Sequence, residues 1–309
     1  MMKTIAAVTA IALLTVSAAT AQPARPAAEN VTVTSTKSRE VLEKFVEAFA
    51  APTRMTEKLS RWEDGICPVA VGLPAGFTTF VTKRMKDVAR QVGAPANEKE
   101  SCAHNIAVVF TTKPQAFLDT IRKKQPWFLG YSDNSAQTDK LAMVTHPIQA
   151  WYMTATKDWR GDTDVDNAKG GSLDMTVQGF LDPTRIMSMT MPFAHFRNVT
   201  GWRLGDGLHS AFHDVIIVVD PSKLVDYEIG SLADYIAMLA LAQLHSLDTC
   251  QQLSSIVNML AAGCDRKVNA LTDNDIAYLR GLYKMNADMT LRSQQDEVAF
   301  QMEKSLEGH

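Results

Sequence analysis

The chain has 309 residues, of which 46% are hydrophobic and 21% charged, and its formal net charge is −3. This balance is that of a globular protein and excludes a disordered tail, a collagen and a coiled coil; the length allows one large domain or two small ones. No positive excess exists to neutralise a phosphate backbone, which excludes nucleic acid as the main partner.

The first residues read as an address. Lys3 precedes an uncharged apolar run, Ile5 to Val16, and Ala19-Thr20-Ala21 follows as a small-x-small cleavage site. The run is shorter than the ~20 residues of a membrane-crossing helix. A signal peptide over 1–21, cut between Ala21 and Gln22, predicts a periplasmic or extracellular protein with no permanent membrane span. Residues 22–36 are rich in Pro, Ala and Thr and read as a flexible leader.

Ser38 to Phe49 carries apolar residues at helical spacing and stops before Pro52. Trp62 to Leu73 reads as a strand. Gly76 to Val92 is predicted to be an amphipathic helix with Phe77, Phe80, Val81, Met85, Val88, Ala89 and Val92 on one face, ended by Gly93 and Pro95. Asn105 to Thr111 is a second strand, and Pro114 to Lys124 a helix with Pro in its first turn. Polar and turn residues then dominate to Asp174, interrupted by a strand over Pro147 to Thr154, and Asp158 to Gly171 reads as a solvated acidic loop. Arg185 to Met191 and Ala211 to Val219 are predicted strands, the second apolar almost throughout.

After Pro221 the pattern is helical: Ile229 to Leu247, apolar nearly all round; Gln252 to Leu260; Ile276 to Tyr283, opened by a Thr272–Asp275 cap signal; and Asp288 to Leu306. The expected class is α+β. Residues 37–220 would hold a mixed sheet with helices and residues 221–309 an all-helical part, as one continuous globular unit.

Export makes disulfides the expectation for Cys67, Cys102, Cys250 and Cys264. The pairing Cys67–Cys102 and Cys250–Cys264 keeps each bridge within one half of the chain. Without a C-x-x-C pair or a His at ligand spacing, no metal or cofactor is expected.

Other motifs fall short of a chemistry. Ser132-Asp133-Asn134 would need an S-x-x-K and a K-T-G, and neither is present. Asp162, Asp164 and Asp166 alternate as in a calcium loop, but Asn167 stands where the turn Gly belongs and Leu173 where the bidentate Glu belongs. His209 and His213 would share a helix face, yet the β-branched run after them favours a strand, where four positions span ~13 Å. Trp151 reads as core, and Trp127 and Trp159 as groove candidates.

The order of elements carries a resemblance. RWEDGICPVAVGL, a helix ending in Gly93, NIAVVF, VIIVVD leading into SLADYIAMLALAQL, and LTDNDIAYLRGLY together resemble secreted bacterial proteins with a zincin-like, metallopeptidase-type fold, many of them uncharacterised. The similarity runs from about Arg61 to Lys284. In that fold the long helix carries His-Glu-x-x-His, which binds zinc and activates its water. Here the helix holds Asp234, Tyr235, Ala237 and Met238, and its one histidine, His245, lies near the far end. The resemblance implies a zincin-like shell without the metal chemistry. By elimination it implies a non-catalytic binding or scaffolding role on an unknown protein or envelope component. Two alternatives stand beside it. One is a divergent secreted hydrolase whose His209, His213, Asp214, Glu228 and Asp234 converge in a cleft. The other is a structural envelope protein with no cleft.

Overall fold

The apolar run AFHDVIIVV forms the centre of the structure. The computed structural model describes residues 39–99, 101–166, 172–192 and 207–307, all within the compact unit Thr36–His309; the predicted signal peptide and leader lie outside the described residues. The first half contains α1 (Arg39–Phe49), β1 (Ser60–Arg61), β2 (Pro68–Val71), α2 (Ala75–Val92), β3 (Ile106–Phe110), α3 (Pro114–Lys124) and α4 (Ser135–Leu141). Strands β4 (Ile148–Asp158), β5 (Thr163–Val165), β6 (Ser172–Gln178), β7 (Ile186–Pro192) and β8 (Leu208–Val219) follow. Helices α5 (Ile229–Leu241), α6 (Asp273–Lys284) and α7 (Leu291–Glu307) close the chain. The class is α+β with a mixed sheet.

The main sheet runs β2-β3-β8-β4-β5. One edge of β8 pairs in parallel first with β1 (Ser60↔Ser210) and then with β3 (Ile106↔Val215), and the other edge pairs antiparallel with β4. A sheet covered on both faces needs strands apolar on both sides. Accordingly Val108, Phe110, Val215 and Ile217 pack with α1, α2, α5, α6 and α7, while Val109, Ile216 and Val218 pack on the opposite face with α3, β6 and β7. The hairpin β6–β7 is a separate two-stranded sheet.

Helix α5 is buried on every side from Ser231 to Leu241. A helix leaves its last carbonyls without intrahelical partners, and in a core no water replaces them. Three aromatic donors meet this need. Tyr152 Oη donates to Leu239 O at 2.7 Å and Ala242 O at 2.9 Å, Trp62 Nε1 to Ala240 O at 2.7 Å, and Tyr283 Oη to Leu241 O at 2.9 Å.

The expected disulfides are present, Cys67–Cys102 and Cys250–Cys264, with Cα separations of 6.0 and 5.3 Å. The expected cap is present too: Thr272 and Asp275 form a capping box at the start of α6. Asp275 further accepts Ser255 Oγ at 2.5 Å and Ile256 N at 2.8 Å, which ties α6 to the 3-10 turn Ile256–Met259.

Other expectations are corrected. Trp62 lies outside a strand, and only Pro68–Val71 of its segment is extended within the sheet. Phe77 and Phe80 do not join the buried face of α2; they are 45% and 44% exposed. Helix α5 stops at Leu241 rather than Leu247, because the chain turns to pair with the end of α1: Ala51 N donates to Gln243 O, and His245 N to Phe49 O. Gln252–Leu260 is not an α-helix, and only Ile256–Met259 is regular, as a 3-10 turn. The regular elements after Asp220 are helical, but much of 242–271 is irregular. The acidic loop is shorter than read, since β4 reaches Asp158 and β5 occupies Thr163–Val165 within it. Asp166 is buried, accepting Thr154 Oγ1 at 2.5 Å and Thr156 Oγ1 at 2.8 Å. Ser132-Asp133-Asn134 leads into α4, where Asn134 accepts Gln137 N at 3.0 Å as its cap.

Replacing Trp62 by Phe keeps most of the apolar bulk and strands the Ala240 carbonyl. An unsatisfied buried polar group costs about 1–3 kcal/mol. Urea unfolding of Trp62→Phe is expected to show a loss of that size with an unchanged denaturant slope.

Candidate functional site

Helix α3 and the hairpin β6–β7 cover one face of the sheet and leave a groove between them. Leu118 and Ile121 turn α3 onto the core, so Ala116, Thr120 and Lys124 stand outward. Strand β6 alternates: Leu173, Met175 and Val177 face inward, and Ser172, Asp174, Thr176 and Gln178 outward. The cavity between them measures about 350 Å³. One wall is Lys113, Ala116, Phe117, Thr120 and Lys124; the other is the continuous run Leu173–Phe180, and Thr111, Thr112 and Pro183 close one end.

The hairpin turn is fixed to the sheet. Phe180 N donates to Gly72 O at 2.7 Å. Gly72 has φ +99°, and a Cβ there would lie 2.0 Å from Phe110 O, so only glycine fits. Asp182 Oδ1 accepts Thr184 N at 3.1 Å and Thr184 Oγ1 at 2.6 Å, which closes the turn. Beyond Phe180 lies a second, apolar recess of about 260 Å³, walled by Leu73, Phe77, Phe110, Leu181, Val219 and Val225 among others.

The five residues proposed from the sequence are dispersed, and none lines either recess. His209 and His213 both lie on β8. His209 Nε2 is 3.1 Å from Glu63 Oε1, and its Nδ1 is 2.9 Å from Asp288 Oδ1. Lys157 Nζ also reaches Glu63, at 3.2 Å. Burial alone would raise the Glu63 carboxyl, but the His209 hydrogen bond and charge, with those of Lys157, hold it down to about 2. The Glu63 bond in turn raises His209, against the opposing effect of burial.

His213 Nδ1 contacts the neighbouring Asp214 Oδ2 at 2.5 Å, the one pair of the five that meets. The cause is a β-bulge: Met153 opposes Asp214 and Thr154 opposes Phe212, which leaves His213 as the extra residue. Phe212 and Val215 therefore face the same core although three residues apart. Burial pushes the Asp214 carboxyl up to about 6, against the pull of His213. Glu228 is the N-cap residue of α5 but makes no side-chain cap bond. Asp234 accepts Arg84 Nε at 2.5 Å and Leu271 N at 3.0 Å, and so joins α5 to α2 and to the segment before α6.

The two tryptophans read as groove candidates stand elsewhere. Trp127 packs against the core under α3, and Trp159, 52% exposed, lies under the guanidinium of Arg160. Trp151 is core, as expected, and donates to Leu141 O. Among the described residues, the one His/Cys/Asp/Glu cluster close enough to hold a metal is Cys250, Cys264 and Asp265, and its cysteines are joined as a disulfide.

No family model, curated protein or solved structure matches this chain.

Two pH responses follow. The Asp214 value is raised above the ordinary ~3.9, so its ionised form costs folded-state stability, and stability is gained as pH falls from about 6 towards 4. Asp214→Asn removes that gain: in thermal melts, the difference between wild type and variant should change across this window and stay flat above it. Glu63 is lowered, so its contribution is present above the ordinary carboxylate value and lost as pH falls towards 2; that of His209 is lost as pH rises through its raised value. Glu63→Gln should therefore lower the melting temperature more at pH 5–6 than at pH 9.

Proposed function

We propose that this chain is an exported, non-catalytic binding protein of the cell envelope, a zincin-like shell that engages its partner through the groove between α3 and β6. The groove is the observation that carries the reading. It is open, fixed at one end by the Phe180–Gly72 bond, and lined by hydroxyl and lysine side chains that make hydrogen bonds and ion pairs without chemistry of their own.

Two further observations support it. The titratable residues that a hydrolase would need hold the scaffold together instead: Asp234 is engaged by Arg84, His209 by Glu63 and Asp288, and His213 by Asp214. Helix α5, where a zincin would carry its ligands, presents Ala233, Ile236, Ala237, Met238 and Ala240 to the core. The two disulfides suit an oxidising compartment. Among the described residues no helix is long and apolar enough to cross a membrane.

A photo-crosslinking side chain placed at Thr120 in living cells should give discrete adducts with an envelope component, while the same group at Lys44, exposed on α1, should give none. Equal labelling at both sites, or none at Thr120, overturns the groove. Metal analysis of the purified protein should find less than stoichiometric zinc; one tightly held equivalent overturns the non-catalytic reading.

A further inference from the structure

Among the described residues, strand β6 pairs with β7 along one edge only. Two separate bonds show which backbone groups face the other way. At the turn, Gly179 N donates to Arg185 O, so the odd-numbered residues of β6 exchange bonds with β7. At the opposite end, Gln125 Nε2 at the end of α3 donates to Ser172 O, so the even-numbered carbonyls point towards α3. The N–H and C=O groups of Asp174, Thr176 and Gln178 thus lie along the groove, and among the described residues no strand pairs with them. An unpaired edge of this kind is a template for one more strand.

The dimensions and the charge specify what would pair. Helix α3 has 11 residues, which at ~1.5 Å each gives a wall about 16 Å long. An extended chain covers that length with about five residues at ~3.3 Å each. Ala116 and Thr120 keep the helix wall low along its middle. Lys113 stands at one end of α3 and Lys124 at the other, both exposed, and Asp174 is the one acid lining the groove, already bonded to Thr190 Oγ1 at 2.6 Å. Each end thus carries a lysine, and the lining sets two cations against one carboxylate.

The geometry points to an extended peptide segment of a partner protein, acidic at both ends, that adds as a third strand to the free edge of β6. This rests on the binding role proposed for the groove and names its ligand class.

The test uses the full mature chain from Gln22 and a fluorescein-labelled peptide Glu-Val-Thr-Val-Glu, with anisotropy as the readout. Saturable binding is expected, weakened at least tenfold when the peptide's central amide nitrogens are methylated. Thr176→Pro should weaken it at least tenfold while leaving the melting temperature in place, because the N–H removed does not belong to the β6–β7 ladder. Lys113→Glu with Lys124→Glu, both on the surface, should abolish binding of this peptide and admit Lys-Val-Thr-Val-Lys. No binding at millimolar peptide, or binding that neither methylation nor Thr176→Pro disturbs, overturns the proposal. So does a symmetric dimer in light scattering that Thr176→Pro dissolves, which would make a second copy the occupant. Protease-resistant crosslinks at Thr120 would remove the peptide while leaving the binding role intact; absence of crosslinks there would remove both.

Discussion

The structure depends on how the end of α5 is satisfied. A helix buried on all sides is favourable for its side chains and unfavourable for its last carbonyls, which have neither water nor a next turn. Here Leu239, Ala240, Leu241 and Ala242 receive hydrogen bonds from Tyr152 on β4, Trp62 beside β1 and Tyr283 on α6. Each donor supplies apolar bulk as well as a polar tip. These contacts therefore join the sheet, the segment before β2 and the C-terminal helices at one point, and they account for indole and phenol groups in a core that hydrocarbon alone could fill.

The same economy of polar groups separates scaffold from site. Asp275, Asp234, Asp166 and Asp214 are buried, and each has a named donor or partner. Glu63, His209 and Lys157 make an ion cluster that ties β4 and β8 to the loop after β1. Charge placed in this way fixes the relative positions of elements. The groove is made differently, from side chains with room around them, and among the described residues no strand pairs with the backbone groups that β6 turns towards it.

Much of the fold was legible in single residues. The two-sided apolar strands β3 and β8, the all-round apolar α5, the Thr272–Asp275 cap and the cysteine pairing each follow from a local pattern. Other parts were not. Trp62 reads as the start of a strand because its segment is β-branched, yet its indole is committed to a carbonyl 178 positions away. Strand β6 alternates Leu173, Met175 and Val177 with polar residues, but its start merges with a Gly- and Asp-rich stretch that masks the period. Helix α4 has no buried residue and so no apolar stripe to find. The groove had no signature at all. It arises where α3 and β6, far apart in the chain, meet, and its lining of Thr, Lys, Ala and Phe is common anywhere.

The place of β8 has a consequence for the order of events in folding. It is the middle strand of the sheet and the last of the strands to be synthesised, and the Ser60–Ser210 contact closes a separation of 150 residues. Neither β1 nor β3 gains its shared neighbour until almost the whole strand-forming region exists, a topology of distant contacts that folds slowly. On the export route proposed above, that delay would keep the chain in a transportable state until the oxidising side, where its two disulfides close.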